Sequence, residues 1–370
     1  MAARATTPED PEATEPAEEE GGTPAPASAH ARWWGLVIIS LAQLMVVLDA
    51  TIVNIALPSA QRELHLSDED RQWAVTAYTL AFGGLLLLGG RAADLIGRKR
   101  AFLTGLAGFA LSSALGGAAQ SPGMLFTARA LQGAFAALLA PSALSLLTTT
   151  FTRPRERGRA FGVYGALAGI GTGIGFLLGG VLTQYANWRW CLYVNVPIAA
   201  AALTGGALLL RDPVRSRQVR LDVTGALLGC GGVLALVFAC SQAQPRGWTS
   251  PLVLSLFAAC VLLLAAFIWW QTRAPAPLLP LRIVREHNRA GCFLTILLSH
   301  LALFGMFLFL TFYLQNILGY SPLQAGLGFL PLTAAIILTA TQAAARLLHR
   351  LPPRTLIVPG LLLATGGSPF

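Results

Sequence analysis

Asp49 and Arg129 stand inside apolar stretches of a chain that keeps almost all of its other charges outside them. A charge at mid-bilayer depth costs roughly 2.5–3.5 kcal/mol on insertion scales. Such residues face a water-filled cavity or a partner, and they mark an ion or substrate path. The two chemistries differ. Burial disfavours the charged form of a carboxyl, so Asp49 could load and unload a proton, which a leucine could not. Alternatively it sits at the interface or caps a kink before Pro58. Arg129 keeps its charge. It could bias a nearby carboxylate or hold an anion, or, six residues after Gly123, snorkel to the extracellular interface. His300 is either a relay or a hydrogen-bonded packing residue.

These residues are positioned by long apolar blocks. Of the 370 residues, 55% are hydrophobic and only 12% charged, against about 25% charged in soluble domains. The blocks fall at about 35–57, 73–90, 101–119, 123–150, 160–183, 191–210, 223–241, 251–270, 291–313 and 325–345, and another begins near 355. Each complete block is close to the roughly 20 residues that cross a bilayer as a helix. Barrel strands would be about half as long and would alternate in polarity. The fold class is therefore an all-α integral membrane protein, with ten complete spans and an eleventh begun.

The formal net charge of +9 raises the question of nucleic acid, and the placement of the charges answers it. Counting loops by the spans they join, the N-terminal tail and the even-to-odd loops hold 21 of the 26 Lys and Arg, and the odd-to-even loops hold 4. That asymmetry puts the N-terminus and the segments Arg153–Arg159 and Arg211–Arg220 in the cytoplasm. The basic residues then serve topology and lipid headgroups, with no nucleic acid as partner. Residues 1–32, rich in Pro, Ala and Glu, lack a signal peptide's basic and apolar regions and read as a disordered cytoplasmic tail. Cys191, Cys230, Cys240, Cys260 and Cys292 make no C-x-x-C pair, so neither a metal site nor a disulfide framework is expected. With no ligand-spaced His/Cys/Asp cluster and no G-x-S-x-G, an enzyme is not expected.

Four further segments carry pattern. Gly89-Gly90-Arg91-Ala92-Ala93-Asp94-Leu95-Ile96-Gly97-Arg98-Lys99-Arg100 joins spans two and three. Its glycines permit a tight turn, and Asp94 can accept from the arginines or from a helix N-terminus. In the fifth span Gly165, Gly169 and Gly173 recur every four residues, as do Gly171, Gly175 and Gly179. This spacing gives smooth faces for helix packing, and no G-x-G-x-x-G register is present. The aromatics of Asn187-Trp188-Arg189-Trp190 suit an outer interfacial belt, and Pro197 an early kink in span six. Ser321-Pro322 reads as the start of span ten.

Taken in order, these segments resemble the major facilitator superfamily, in particular its fourteen-helix drug:proton antiporter branch. The resemblance runs from about residue 33 to 363 and rests on L-D-x-T-I-V-N-x-A-L-P, G-x-x-A-D-x-x-G-R-K-R, R-x-x-Q-G, the Gly-rich fifth span, N-W-R-W and G-Y-S-P-L-Q-A-G. It implies a six-helix bundle over 33–211, inserted helices seven and eight over 222–271, and an incomplete C-terminal bundle over 287–370. It further implies export of small lipophilic or cationic compounds, including antibiotics, across the plasma membrane. The proton gradient would be the energy source, and no cofactor is implied. Asp49 would be the protonation site and Arg129 its modulator, with Gly90, Asp94, Gly97, Arg98 and Lys99 a conformational latch. Tyr78, Phe82, Gln132 and Phe312 are generic pocket candidates. Where the branch's fifth-helix signature has proline, Gly175 is followed by Phe176, which leaves open a facilitator or symporter of another solute. Against fourteen helices, about three would lie beyond Phe370, so a chain ending there is expected to insert without transporting, as a remnant would.

The charge asymmetry is tested by single cysteine labels in a cysteine-free background. A label at Ser216 should react only from the cytoplasmic side and one at Thr249 only from outside; the reverse pattern would overturn the orientation.

Overall fold

The computed structural model describes residues 29–210, 222–275, 277–278 and 286–332, with positions 334, 335, 338 and 355 beyond them. Of the tail expected over residues 1–32, the part before residue 29 lies outside the described residues, whereas residues 29–32 already belong to a helix. The loop containing Ser216, most of the tenth block after residue 332 and nearly all of the eleventh also lie outside them. The described elements are helices: α1 Ala29–Leu64, α2 Asp68–Ile96, α3 Arg98–Gly117, α4 Pro122–Thr150, α5 Pro154–Tyr185, the single turn α6 Trp190–Tyr193, α7 Asn195–Leu209, α8 Val223–Arg246, α9 Pro251–Gln271, α10 His287–Phe312 and α11 Pro322–Gly328. Seven of the described helical stretches are long and apolar enough to cross a membrane, α6 and α7 counting together. Although α3 has the length, Arg98, Lys99 and Arg100 in its first turn dilute its hydropathy.

The helices overrun the apolar blocks at their ends because the flanking residues supply caps. Ser67 accepts from Asp70 N–H at 3.0 Å and starts α2, and Ser121 with Pro122 starts α4. At the head of α11, Ser321 Oγ accepts from Gln324 N–H at 3.3 Å while Gln324 Oε1 accepts from Ser321 N–H at 2.9 Å. That reciprocal capping box is the start expected at Ser321-Pro322. The sixth block departs from expectation by splitting at Val194. Pro197 explains the position, since its ring crowds the carbonyl four residues back, at Tyr193, where α6 ends.

Buried side chains of α1, α3, α4 and α7 form the main core, among them Ile39, Met45, Phe102, Phe109, Leu139 and Ala199. Glycines set the spacing. A Cβ on Gly133 would run into the Tyr78 carbonyl, and one on Gly89 into the Ala137 carbonyl, so α2 and α4 touch backbone to backbone. In α5 the series Gly171, Gly175, Gly179 lies on Leu44, Thr51 and Ile52 of α1. The Gly165 series does not share this face. It is offset by two residues, more than half a helical turn, and a Cβ on Gly165 would meet nothing within 4 Å. Gly173 is buried, and the surroundings of Gly169 lie outside the described residues. The turn glycines also differ from expectation. Gly89 and Gly90 lie within α2, a Cβ on Gly90 would have ordinary room beside Pro141 at 3.7 Å, and only Gly97, with φ 97°, makes the bend into α3.

The hairpin α8–α9 lies along α2, with Trp73 and Phe238 rings 5.8 Å apart. Its cap is Asp222, which accepts from Gly225 N–H at 2.8 Å, Trp270 Nε1 at 2.7 Å and Gln271 Nε2 at 3.0 Å. Burial pushes this carboxyl up, but those bonds and the charge of Arg91 hold it below the usual carboxylate range. At the other end of the first helices, Glu63 accepts from Trp188 Nε1 at 2.7 Å and from Arg189 Nη2 at 2.9 Å. Trp188 is therefore buried inside the protein rather than in an interfacial belt, whereas Trp190 is 55% exposed and suits one.

Overpacking costs about 1–3 kcal/mol, and the two glycine environments separate that effect from helix propensity. Gly133→Ala should lower the melting temperature in detergent, while Gly165→Ala should leave it unchanged or raise it. Equal behaviour of the two variants would contradict the packing described.

Candidate functional site

Asp49 comes from the middle of α1 and is 0% exposed; Arg129 comes from α4 and is 2% exposed. Arg129 Nη1 donates to Asp49 Oδ2 at 2.6 Å. Both residues are fully inside the helix bundle, so Arg129 does not snorkel and Asp49 is not an interfacial cap. A buried pair of this kind is tolerable only when its remaining hydrogen-bonding capacity is filled, and the neighbouring helices fill it. Arg129 Nε donates to the Ala74 carbonyl of α2 at 3.1 Å, and Nη1 also donates to Gln132 Oε1 at 2.9 Å. The guanidinium lies 4.4 Å from the ring centre of Tyr78, one turn after Ala74. Asp49 Oδ1 accepts from Gln132 Nε2 at 3.0 Å and from Asn195 Nδ2 at 2.8 Å. Gln132 Nε2 donates in addition to Ser113 Oγ of α3 at 2.7 Å.

Helical spacing explains how so few elements supply so many groups. Arg129 and Gln132 are three residues apart on α4 and so share a face, as do Ala74 and Tyr78 on α2. The arrangement presents three donors to the Asp49 carboxyl oxygens and surrounds the permanent cation of Arg129 with acceptors from several sides. A proton on Asp49 would have to displace at least one of those donors.

Among the pocket candidates, Gln132 is a member of this network and Tyr78 is its aromatic wall. Neither lines the cavity of about 360 Å³ that lies along α1 and α5 between Trp33, Trp34, Ser40, Leu44, Val163 and Leu167. Phe82, half-buried, stacks on Tyr78 with centroids 6.0 Å apart. The side chains of Phe312 and His300 lie outside the described residues. In the segment expected to form a latch, Asp94 meets Arg98 at 3.7 Å, with both partly exposed. Lys99 Nζ donates to the Ala207 carbonyl at the end of α7, 2.7 Å away. Phe176 is buried in an unbroken α5 and stacks on Phe329, centroids 4.9 Å apart. Sequence reasoning missed Ser113 and Asn195. The available signal was a polar residue in the middle or at the break of an apolar block.

The major facilitator superfamily model matches residues 39–370. The chain belongs to that family. It is 59% identical over 336 residues to the puromycin resistance protein pur8 of Streptomyces alboniger, covering 91% of this chain and 67% of that protein. It is 40% identical to the cephamycin export protein CmcT of Amycolatopsis lactamdurans, covering 90% and 69%. To the tetracenomycin C resistance and export protein of Streptomyces glaucescens it is 38% identical, covering 95% and 65%. The chain thus spans about two thirds of the length of these relatives. The crystal structure of tetrameric PepTSo2 superposes with a TM-score of 0.52 at 18% identity, covering 84% of this chain and 72% of that one, which speaks for the fold alone.

The buried pair makes an energetic prediction for the family member. Removing one partner of a buried pair costs about 3–5 kcal/mol, whereas replacing both by apolar groups is far cheaper. Arg129→Leu should therefore destabilise the protein in thermal unfolding more than the double variant Asp49→Leu/Arg129→Leu. A double variant less stable than the single one would refute the pair as the organising interaction.

Proposed function

We propose that this protein is a proton-coupled exporter of small lipophilic or cationic compounds such as antibiotics. In this reading it lies in the plasma membrane with its N-terminus in the cytoplasm and uses the proton gradient in place of any cofactor. The observation that carries the reading is the fully buried Asp49–Arg129 pair. Relatives named for puromycin and tetracenomycin C resistance and for cephamycin export support the substrate class. With Asp49 ionised, the pair is neutral. With Asp49 protonated, Arg129 leaves one uncompensated positive charge. A cation about 8 Å away would then feel about 2 kcal/mol of repulsion at an effective dielectric of about 20. Proton and cationic substrate therefore compete for one electrostatic site, which is the thermodynamic requirement for exchange. The Asp94–Arg98 pair and the Lys99–Ala207 bond tie the cytoplasmic ends of α2, α3 and α7, and they are assigned to the latch between transport states.

Asp49→Asn keeps the shape and an acceptor for Arg129 but cannot titrate. Reconstituted in vesicles, the variant should insert normally and lose proton-driven efflux. Substrate binding should also lose its pH dependence. Uphill export by the Asn variant would show that the proton travels elsewhere.

A further inference from the structure

The Asp49 network contains one atom that the reading above leaves unused. Asn195 is completely buried, and its Oδ1 has no hydrogen-bond partner, while its Nδ2 donates to Asp49 Oδ1 at 2.8 Å. A buried amide oxygen without a donor is costly and uncommon. The other polar groups around the carboxylate are engaged. Gln132 donates from Nε2 to both Asp49 and Ser113 and accepts at Oε1 from Arg129. Ser113 Oγ accepts from Gln132 and, at 3.4 Å, from Asn195. The Ala74 carbonyl is taken by Arg129. The ionisable groups near Asp49 are Arg129 of α4, Tyr78 of α2 and Cys191 of α6. From α3 and α7 come the uncharged Ser113 and Asn195.

We propose that Asn195 is a proton-linked switch, a donor to the Asp49 carboxylate and an acceptor from the Asp49 carboxylic acid. This rests on the reading of Asp49 as the proton site. When a proton from water forms an O–H bond at Oδ1, that oxygen stops being a good partner for a facing donor and needs an acceptor. Gln132 is locked by three bonds. Asn195 can turn its amide by half a turn about its last side-chain bond, bringing its idle oxygen to the place of its nitrogen. That turn gives up the Nδ2 bonds to Asp49 Oδ1 and Ser113 Oγ, and the bond from the new O–H to the amide oxygen replaces the first. The O–H bond of a hydronium ion breaks, leaving water, as the new O–H bond forms on the carboxyl, and no atom changes oxidation state. Asn195 opens α7 directly after the break at Val194, so the switch reports the charge of Asp49 to the joint between α6 and α7. It is a positioning residue and carries no proton itself.

The test is infrared difference spectroscopy of the chain in lipid nanodiscs between neutral and acidic pH. A carboxyl C=O band should appear in acid and be absent in Asp49→Asn. In Asn195→Leu that band should move to higher frequency, because the acid has lost its acceptor. In Asn195→Ser, whose hydroxyl both donates and accepts, it should stay near the parent position. An Asn195→Leu band at the parent frequency would overturn the switch. Should Asn195→Leu fail to insert, the parent protein with carbon-13 in its asparagine amides gives the second readout. An asparagine carbonyl band should fall in frequency in acid, and in Asn195→Ser that fall should be lost; a band that does not move with pH overturns the switch. If Asp49→Asn removes no band at all, the carboxyl does not titrate, and the proton reading fails together with the switch.

Discussion

A buried charge pair is the constraint around which the first seven helices are arranged. Two charges removed from water lose several kcal/mol of hydration each, at about the magnitude that a low-dielectric contact returns only when the geometry is good. The 2.6 Å contact between Arg129 and Asp49 therefore needs company. It obtains it from a carbonyl of α2, a hydroxyl of α3 through Gln132, and an amide of α7. Displacing any of these helices leaves a polar group unpaired in a medium that offers no water. Hydrophobic burial alone cannot impose that degree of register in a membrane, since lipid tails are as apolar as leucine.

Close approach of backbones is what lets short polar side chains reach one another. Gly133 lies one residue beyond Gln132, and the space where its Cβ would be is filled by the Tyr78 carbonyl. The same contact that removes a side chain from α4 brings Tyr78 under the Arg129 guanidinium. On the other side of α1, Gly175 and Gly179 admit Thr51 and Ile52, which flank Asp49 by less than one turn. Thr51 bonds its own helix, donating to the Leu48 and Val47 carbonyls at 3.0 and 3.1 Å, so α1 meets α5 without an idle donor. Packing and polar satisfaction are thus one requirement expressed at neighbouring positions.

The spans found among the described residues and the two central charges were legible in the sequence because each is a local property. An apolar block of bilayer length, or a charge within it, needs no partner to be noticed. Relations between helices were not legible in the same way. Gln132 reads as a generic pocket residue until Asp49 and Ser113 are seen on either side of its amide. Trp188 reads as an interfacial aromatic until Glu63 is found bonded to its indole. Of two glycine series with identical spacing, the one turned toward α1 packs on it while Gly165 of the other meets nothing, and spacing cannot say which way a helix is rotated. Gly89 and Gly90 likewise look alike in the sequence, yet only a Cβ on Gly89 would strike backbone. One position, about 100° around the helix, separates a backbone contact from ordinary room.

The two ends of α1 are in different states, and this bears on how a change at Asp49 could be felt elsewhere. Near one end Ile55, Phe176 and Phe329 are buried together, with Leu310, Leu314 and Leu332 against them, so α1 and α5 are closed onto the later helices. Near the other end, Trp34 and Val37 are more than half exposed along the open cavity between α1 and α5. Asp49 lies between these ends, less than two turns from Ile55. An aromatic stack is a discrete contact, made or not made, and a packed cluster of this size does not stretch continuously. A carrier that rocks two bundles about a central site needs such an all-or-none closure on each side. Phe176, standing where a proline would have removed both the stacking ring and a backbone donor, supplies the closure from α5 without bending it.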